Sequence, residues 1–430
     1  MRPKYKGWIN NYADFFQGLV RELKYGEQLK SSLNGNSFDE NFYQLIQPTG
    51  LMYGHAIQPA GSYNLKMKYW DEREKLKFIL FDSFVHHSIL IHEDNYSNNI
   101  RDLIHYSVNE MIDFYQHSYP NISFRKNDYF GRRKNEIFMA ESLLHNRIQI
   151  RSGLNDNFWA GFFNNSLLFL DVYFYGIWLQ RKDAILAFDD LGQKLEEVRL
   201  CILKIISSAS HADHSLDYEE RKLFKFFLQS AGLSSDAEAE ALTYLKDGID
   251  IRDIEFPDID SWLLKKYLFE LATLTIWSDR HVNEKEKEYL AKLGEKLKFS
   301  ETEIESSLLA IESFVITHWE QVHFLQSRHN FHILRDRFAT RLGKILVKNK
   351  NAFEKELLES KELLQLLKKA TRQELNEEEK TKVRTQLIDV LKTIPTFVII
   401  ALPFTFITLP LLIKILPKSA FPTAFSEEED

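Results

Sequence analysis

Cysteine is almost absent, with one residue, Cys201, in a chain of 430. A lone thiol excludes an intramolecular disulfide framework and fits a reducing compartment. A basic excess is missing as well. Lys and Arg number 55 against 62 Asp and Glu, a net charge of −7, and no basic patch stands out, which argues against a nucleic-acid partner. The N-terminal "MRPKYKGWINNYADFF" is followed by no apolar run and no small-residue cleavage site, so no signal peptide is expected and the bulk reads as cytoplasmic. Phosphate loops, dinucleotide fingerprints, H-E-x-x-H and Ser/His/Asp or Cys/His arrangements are all lacking, and nothing in the sequence asks for an enzyme. Aromatic residues, by contrast, are plentiful, with 33 Phe and 18 Tyr. The length leaves room for two to four domains.

Near the C-terminus the charge pattern changes. Ile394 to Ile413 is a run of 20 residues without a charge. As a helix it rises about 30 Å, the hydrocarbon thickness of a bilayer. Prolines stand at 395, 403 and 410, with another at 417, close to every second helical turn. Each costs about 3 kcal/mol inside a soluble helix. In lipid the helix is the available backbone solution, and Thr396, Thr405 and Thr408 can bond back to freed carbonyls. The segment is therefore expected to be a kinked membrane span; a buried hairpin of two apolar helices is the alternative. Lys368, Lys369, Arg372, Lys380, Lys382, Arg384 and Lys392 precede it, against Lys414 and Lys418 and the acidic "SEEED" after it. Lysine and arginine stay inside, so the N-terminal bulk is placed on the cytoplasmic side.

The order Asp389, Pro395, Pro403, Leu409-Pro410, Lys414, Pro417 and "FPTAF" resembles the membrane segment of the leucine zipper–EF-hand-containing transmembrane family. The upstream "LLKKATRQELNEEEKTKVRT" resembles that family's basic helical lead-in. The resemblance covers roughly residues 367–425. It implies a bacterial inner-membrane protein concerned with cation/proton exchange or cation homeostasis, of the biofilm-associated bacterial type.

The middle of the chain holds an internal repeat. "ADHSLDYEERKLFKFF" begins at Ala212 and "SDRHVNEKEKEYLAKL" at Ser278, 66 residues later. Asp213 matches Asp279, Asp217 matches Asn283, and Glu220 matches Glu286. Each copy reads as helix, short acidic turn, helix. Leu223, Phe224, Phe227, Leu228 and Ala231 form the apolar face after the first turn; Tyr289, Leu290, Leu293 and Leu297 form it after the second. Two readings of the turns stand side by side. Asp217 with Glu220, and Asn283 with Glu286, have capping-box spacing. Alternatively, Asp213, Asp217, Glu220, Asp279, Asn283 and Glu286 supply oxygen ligands for Ca²⁺ or another hard divalent cation. Residues 198–318 resemble the tellurite-resistance TerB-like helical domain, which implies a bundle of pseudo-symmetric halves with metal held by these acidic residues.

Elsewhere the signals are structural. "NDNFWAGFFNNSLLFLDVYFYGIWLQ", 155–180, would put Asn164, Asn165 and Asp171 in lipid if it spanned a membrane, so a buried or interfacial helix is expected. Phe353, Leu357, Leu358, Leu364 and Leu367 suggest one helical stripe, and Asn376 with Glu379 a helix cap. His86, His87 and His92 lack metal-type spacing; His329 and His332, three apart, could share a helix face but have no further ligand near them, so solvated or hydrogen-bonded histidines are expected.

The expected architecture is all-α, with multi-helix bundle domains and one C-terminal transmembrane helix. Its parts are an N-terminal helical region (1–190), a TerB-like bundle (198–318), a helical stalk (319–392), the span (393–417) and a short acidic tail (418–430). The expected function is a membrane-anchored, metal-responsive scaffold or regulator in cation or envelope homeostasis. The expected partners are the lipid bilayer and a second copy or another membrane protein. The alternatives are a subunit of an oligomeric cation/proton antiporter and a soluble helical adaptor.

Overall fold

A computed structural model describes residues 1–22, 37–57, 65–96, 99–119, 135–148, 162, 164–181, 191–211, 218–257, 261–277, 284–317, 328–370 and 373–392. Among these residues the protein is all-helical, without a strand. The chain forms two compact units, Met1–Tyr289 and Leu290–Asp430. The division falls within the stretch 198–318.

In the first unit the α-helices are α1 (Trp8–Glu22), α2 (Phe38–Ile46), α3 (Glu72–Tyr96), α4 (Ile100–Ser118), α5 (Glu136–Arg147), α6 (Leu168–Arg181), α7 (Leu191–Ser210), α8 (Tyr218–Ala231), α9 (Ser235–Asp247) and α10 (Trp262–Trp277). Helix α11 (Glu284–Lys296) contains the division. The second unit continues with α12 (Glu301–Thr317), α13 (Arg328–Lys348), α14 (Lys350–Glu359), α15 (Lys361–Ala370) and α16 (Glu377–Lys392).

Apolar residues on all sides bury a helix on all sides. This is the state of α10, "WLLKKYLFELATLTIW", which is buried at every position from Lys266 to Trp277 and packs on α7 and α2. Helix α6 follows the same rule. Leu168 to Tyr175 are all buried, and the helix lies against α3. The expectation of a buried helix here holds, with Asp171 fully enclosed. Helix α1 is amphipathic instead. Trp8, Tyr12 and Phe16, spaced four apart, sit inward, and Phe81 of α3 meets Trp8 and Tyr12 edge-on at 5.5 and 5.0 Å.

Two helix starts are held by carboxylates from far along the chain. Glu141 of α5 accepts from the backbone N–H of Gly7 at 2.9 Å and of Ile9 at 3.1 Å, at the head of α1. Asp39 of α2 accepts from the Ser261 hydroxyl at 2.9 Å and the Leu263 N–H at 3.1 Å, at the head of α10. Both place an anion where orphan amides and the helix dipole favour it.

Helices α3 and α6 pack together, and Gly176 of α6 lies against His87 of α3. A Cβ there would lie 2.2 Å from His87 Nε2 and 2.3 Å from Cε1. The His87 ring stacks on Phe42 with centroids 3.9 Å apart and on Phe38 at 5.3 Å. Burial pushes the His87 pKa down to about 3, so the imidazole is neutral.

In the second unit α12 packs on α13, and α14, α15 and α16 pack on one another. Asn376 and Glu379 form the expected reciprocal cap. The Glu379 N–H donates to Asn376 Oδ1 at 2.8 Å and the Asn376 N–H to Glu379 Oε2 at 3.1 Å. The single stripe expected from Phe353 to Leu367 is corrected. The chain leaves helical geometry at Ser360 (φ −89°, ψ 81°), which resets the phase between α14 and α15. Phe353, Leu357 and Leu367 remain buried, Leu363 joins them, Leu364 is half-buried and Leu358 is 67% exposed.

No helix among the described residues is long and apolar enough to cross a membrane. The stretch 394–413 lies outside the described residues.

Candidate functional site

Two fully buried carboxylates of the first unit each gather partners from other parts of the chain. The first belongs to Asp171, in the opening turn of α6, where the helix dipole favours an anion. Tyr115 and Tyr119 stand one helical turn apart at the end of α4. Their hydroxyls donate to the two Asp171 oxygens, Tyr115 to Oδ2 at 2.8 Å and Tyr119 to Oδ1. Arg147, the last residue of α5, completes a bidentate pair, with Nε 2.6 Å from Oδ2 and Nη2 3.0 Å from Oδ1. Arg199 of α7 reaches the same corner, and its Nη2 donates to the Tyr119 hydroxyl. The Tyr119 ring has two guanidiniums near it, 5.1 Å away for Arg147 and 4.8 Å for Arg199.

Burial works against the Arg147 charge, and the Asp171 carboxylate more than offsets it, leaving its pKa well above the usual guanidinium value. Burial raises the Tyr119 phenol to about 12 and drives Tyr115 well above its ordinary value, helped by the negative charge of Asp171. Both phenols therefore stay protonated as donors. The partners come from the end of α4 and from α5, which explains why Asp171 reads from sequence as an isolated charge in an apolar run.

The second centre is Glu270, fully buried on α10. Tyr43 of α2 donates to Oε1, and Tyr53 donates to Oε2 at 2.7 Å. Gln47 Nε2 donates in turn to the Tyr53 hydroxyl at 3.2 Å. Lys266 precedes Glu270 by one helical turn and is also fully buried. Its ammonium lies 5.6 Å from the Tyr43 ring centroid and 5.4 Å from that of Trp262. Burial raises the Glu270 pKa to about 6, against the opposing pull of Lys266 and the two phenols.

This shift gives a signed prediction. A carboxyl group whose folded pKa exceeds its unfolded value stabilises the fold when protonated. The gain is complete below about pH 4.5 and is lost as pH rises through about 6. Glu270→Gln cannot titrate. The stability gap between wild type and this variant, from urea midpoints, is expected to narrow by roughly 2 kcal/mol from pH 4 to pH 7.5. A constant gap would mean that Glu270 titrates normally.

The residues expected to ligate metal fall elsewhere. Asp213, Asp217, Asp279 and Asn283 lie outside the described residues. Glu220 and Glu286 are each the third residue of a helix, α8 and α11, and those helices begin directly after Asp217 and Asn283. On the faces expected to follow the turns, Phe224, Phe227, Leu228 and Ala231 are buried, as are Tyr289, Leu290, Leu293 and Leu297. Among the described residues no group of three or more His, Cys, Asp or Glu side chains is placed to hold a metal ion. His86 bonds within its own helix, with Nδ1 2.8 Å from Asp82 O, and His332 is exposed.

Sequence reasoning missed both carboxylate centres. Tyr43 and Tyr53 are 227 and 217 residues from Glu270, beyond any local pattern. The available signal was Lys266 and Glu270 as a charged pair four apart inside an otherwise apolar helix. Comparison with protein-family models, with curated proteins and with solved structures finds no match to this chain.

Proposed function

We propose that the protein is a membrane-anchored helical scaffold or regulator in cation or envelope homeostasis, with its helical mass on the lysine- and arginine-rich side of the span. One observation carries this reading: the 20 uncharged residues from Ile394 to Ile413, with seven Lys and Arg at 368–392 before them and Lys414 and Lys418 after. Helix α16 ends at Lys392, immediately before that run, so a bilayer segment would continue from an amphipathic helix. The resemblance of 367–425 to the leucine zipper–EF-hand-containing transmembrane family supports the same placement and the link to cations.

Alkaline extraction of membranes tests the anchor. The full chain is expected to stay in the pellet and a variant ending at Lys392 to move to the supernatant. Recovery of the full chain in the soluble fraction would overturn the proposal.

Metal responsiveness is assigned to Asp213, Asp217, Glu220, Asp279, Asn283 and Glu286, with Ca²⁺ the first ion to try. Calorimetry on the full chain should show heat that is lost in Asp213→Ala and Asp279→Ala. No heat in the unmutated protein would reduce the acidic turns to helix caps.

A further inference from the structure

No basic patch stands out along the sequence, but folding assembles one from two short turns of the first unit. The first turn precedes α1. Lys4, Tyr5 and Lys6 are exposed there, between the buried Pro3 and Trp8. The second is the 3-10 turn Met67–Tyr69, which precedes α3. Met67 and Trp70 are buried and anchor it, while Lys66, Lys68 and Tyr69 are exposed. Lys66 opens this turn in left-handed backbone (φ 50°, ψ 44°), a conformation uncommon outside glycine.

Hydrogen bonds tie the two turns together. Arg2 Nη2 donates to the Tyr69 carbonyl at 3.1 Å, and the Tyr5 N–H donates to the Arg2 carbonyl at 3.1 Å. Lys77 of α3 donates to the Pro3 carbonyl at 2.7 Å. Arg2 also grips Glu74 of α3, with Nε and Nη2 each 2.8 Å from a carboxylate oxygen.

The acids around these turns are engaged within the fold. Asp71 and Glu74 cap the start of α3 reciprocally, each accepting the other's N–H at 2.8 Å. Glu72 accepts from the Ala56 N–H at 3.1 Å and pairs with Lys75 at 3.4 Å. Glu141 holds the head of α1. By contrast, Lys4, Lys6, Lys66 and Lys68 form no ion pair with an acid among the described residues. Lys6 lies 3.5 Å from the Phe138 ring centroid and Lys68 5.0 Å from that of Tyr69. Tyr5 is 63% exposed and Tyr69 66%, and no other Phe, Tyr or Trp among the described side chains is exposed. In a chain of net charge −7, four unpaired lysines around two exposed rings call for an anionic partner.

We propose that Lys4, Tyr5, Lys6, Lys66, Lys68 and Tyr69 form a docking surface for an anionic lipid bilayer. Lysines are drawn to acidic headgroups, and tyrosine rings settle at headgroup level. The choice of lipid over an acidic protein rests on the membrane placement proposed above, which puts the first unit on the side of the anionic leaflet. The surface gives this unit a lipid contact of its own, separate from the uncharged C-terminal run.

Cys201 is the single cysteine and is buried, so an added surface thiol can be labelled alone. Tyr69→Cys in the full chain, carrying a polarity-sensitive fluorophore, reads the surface directly. The labelled chain is reconstituted with phosphatidylcholine vesicles, without and with phosphatidylserine. A blue shift is expected with phosphatidylserine and none with phosphatidylcholine alone, and it should fade as salt rises. Lys4→Gln with Lys68→Gln, both at exposed positions, should lower the ratio of docked to free surface by about 25-fold, about fivefold per lysine, and remove most of the shift. Absence of a shift with phosphatidylserine, or an equal shift in the double variant, would overturn the proposal. A stronger response to polyglutamate or single-stranded RNA than to the anionic vesicles would also overturn it. The two membrane contacts fail separately. Without the anchor the full chain is soluble but still shifts with anionic vesicles; without the surface it stays in the alkaline pellet and the label does not respond.

Discussion

Gly176→Ala is expected to destabilise the protein by about 3 kcal/mol, although Gly→Ala inside a helix ordinarily stabilises it by about 1 kcal/mol. Gly176 lies well inside α6, where alanine would be the better helix former. Sterics decide the sign. The new Cβ would sit 2.2 Å from His87 Nε2, and the His87 ring has Phe42 stacked 3.9 Å away. The ring is fixed on that side, so α3 and α6 must separate. His87→Ala in the same chain should recover a large part of the loss, because the clash belongs to the pair and double-mutant coupling isolates it. Urea unfolding of the four proteins measures this, and additive losses would place the cause elsewhere.

His87 also gives the fold an acid limit. Its folded pKa is about 3, below the ordinary 6.5. A base with a depressed pKa stabilises the fold above the unfolded value, and that contribution is lost as pH falls from 6.5 towards 3. The full contribution is roughly 5 kcal/mol. His87→Leu, apolar and of similar volume, should flatten this part of the acid limb.

Asp171→Ala is expected to cost about 3–5 kcal/mol, the penalty for leaving a buried guanidinium without its carboxylate. Arg147 loses both of its hydrogen bonds to Asp171, while Tyr115 and Tyr119 lose the acceptor for their hydroxyls. Asp171→Asn should cost less because the shape and one acceptor oxygen remain. The combination Asp171→Ala with Arg147→Met should be more stable than Asp171→Ala alone, since the stranded charge is gone. Thermal unfolding of these variants at pH 7 provides the comparison. A double variant no better than Asp171→Ala would show that Arg147 finds another partner.

Local chemistry was readable in the sequence wherever it acts within a few residues. The Asn376–Glu379 cap is set by spacing along one turn, and it forms. Helices α8 and α11 begin one residue after Asp217 and Asn283, where the repeat suggested. The buried aromatic helix near Asp171 followed from the cost of polar groups in lipid. The stripe failed twice: Leu358 sits about 100° round the helix from the buried Leu357, and Ser360 then breaks the helix without proline or glycine, a loss of phase that a periodicity count cannot detect. The carboxylate centres were hidden for a different reason. Tyr43 and Tyr53 reach Glu270, and Tyr115, Tyr119 and Arg147 reach Asp171, only after the helices pack.

The heads of α1 and α10 carry a consequence for synthesis. Glu141 lies more than 130 residues after the amides of α1 that it satisfies. On the ribosome α1 must therefore wait, frayed at its first turn, until α5 has emerged. Helix α10 meets the reverse situation, because Asp39 is already in place when its first turn leaves the exit tunnel. Vectorial production should secure the central helix promptly and the amino-terminal one late, an order that refolding from denaturant has no reason to follow.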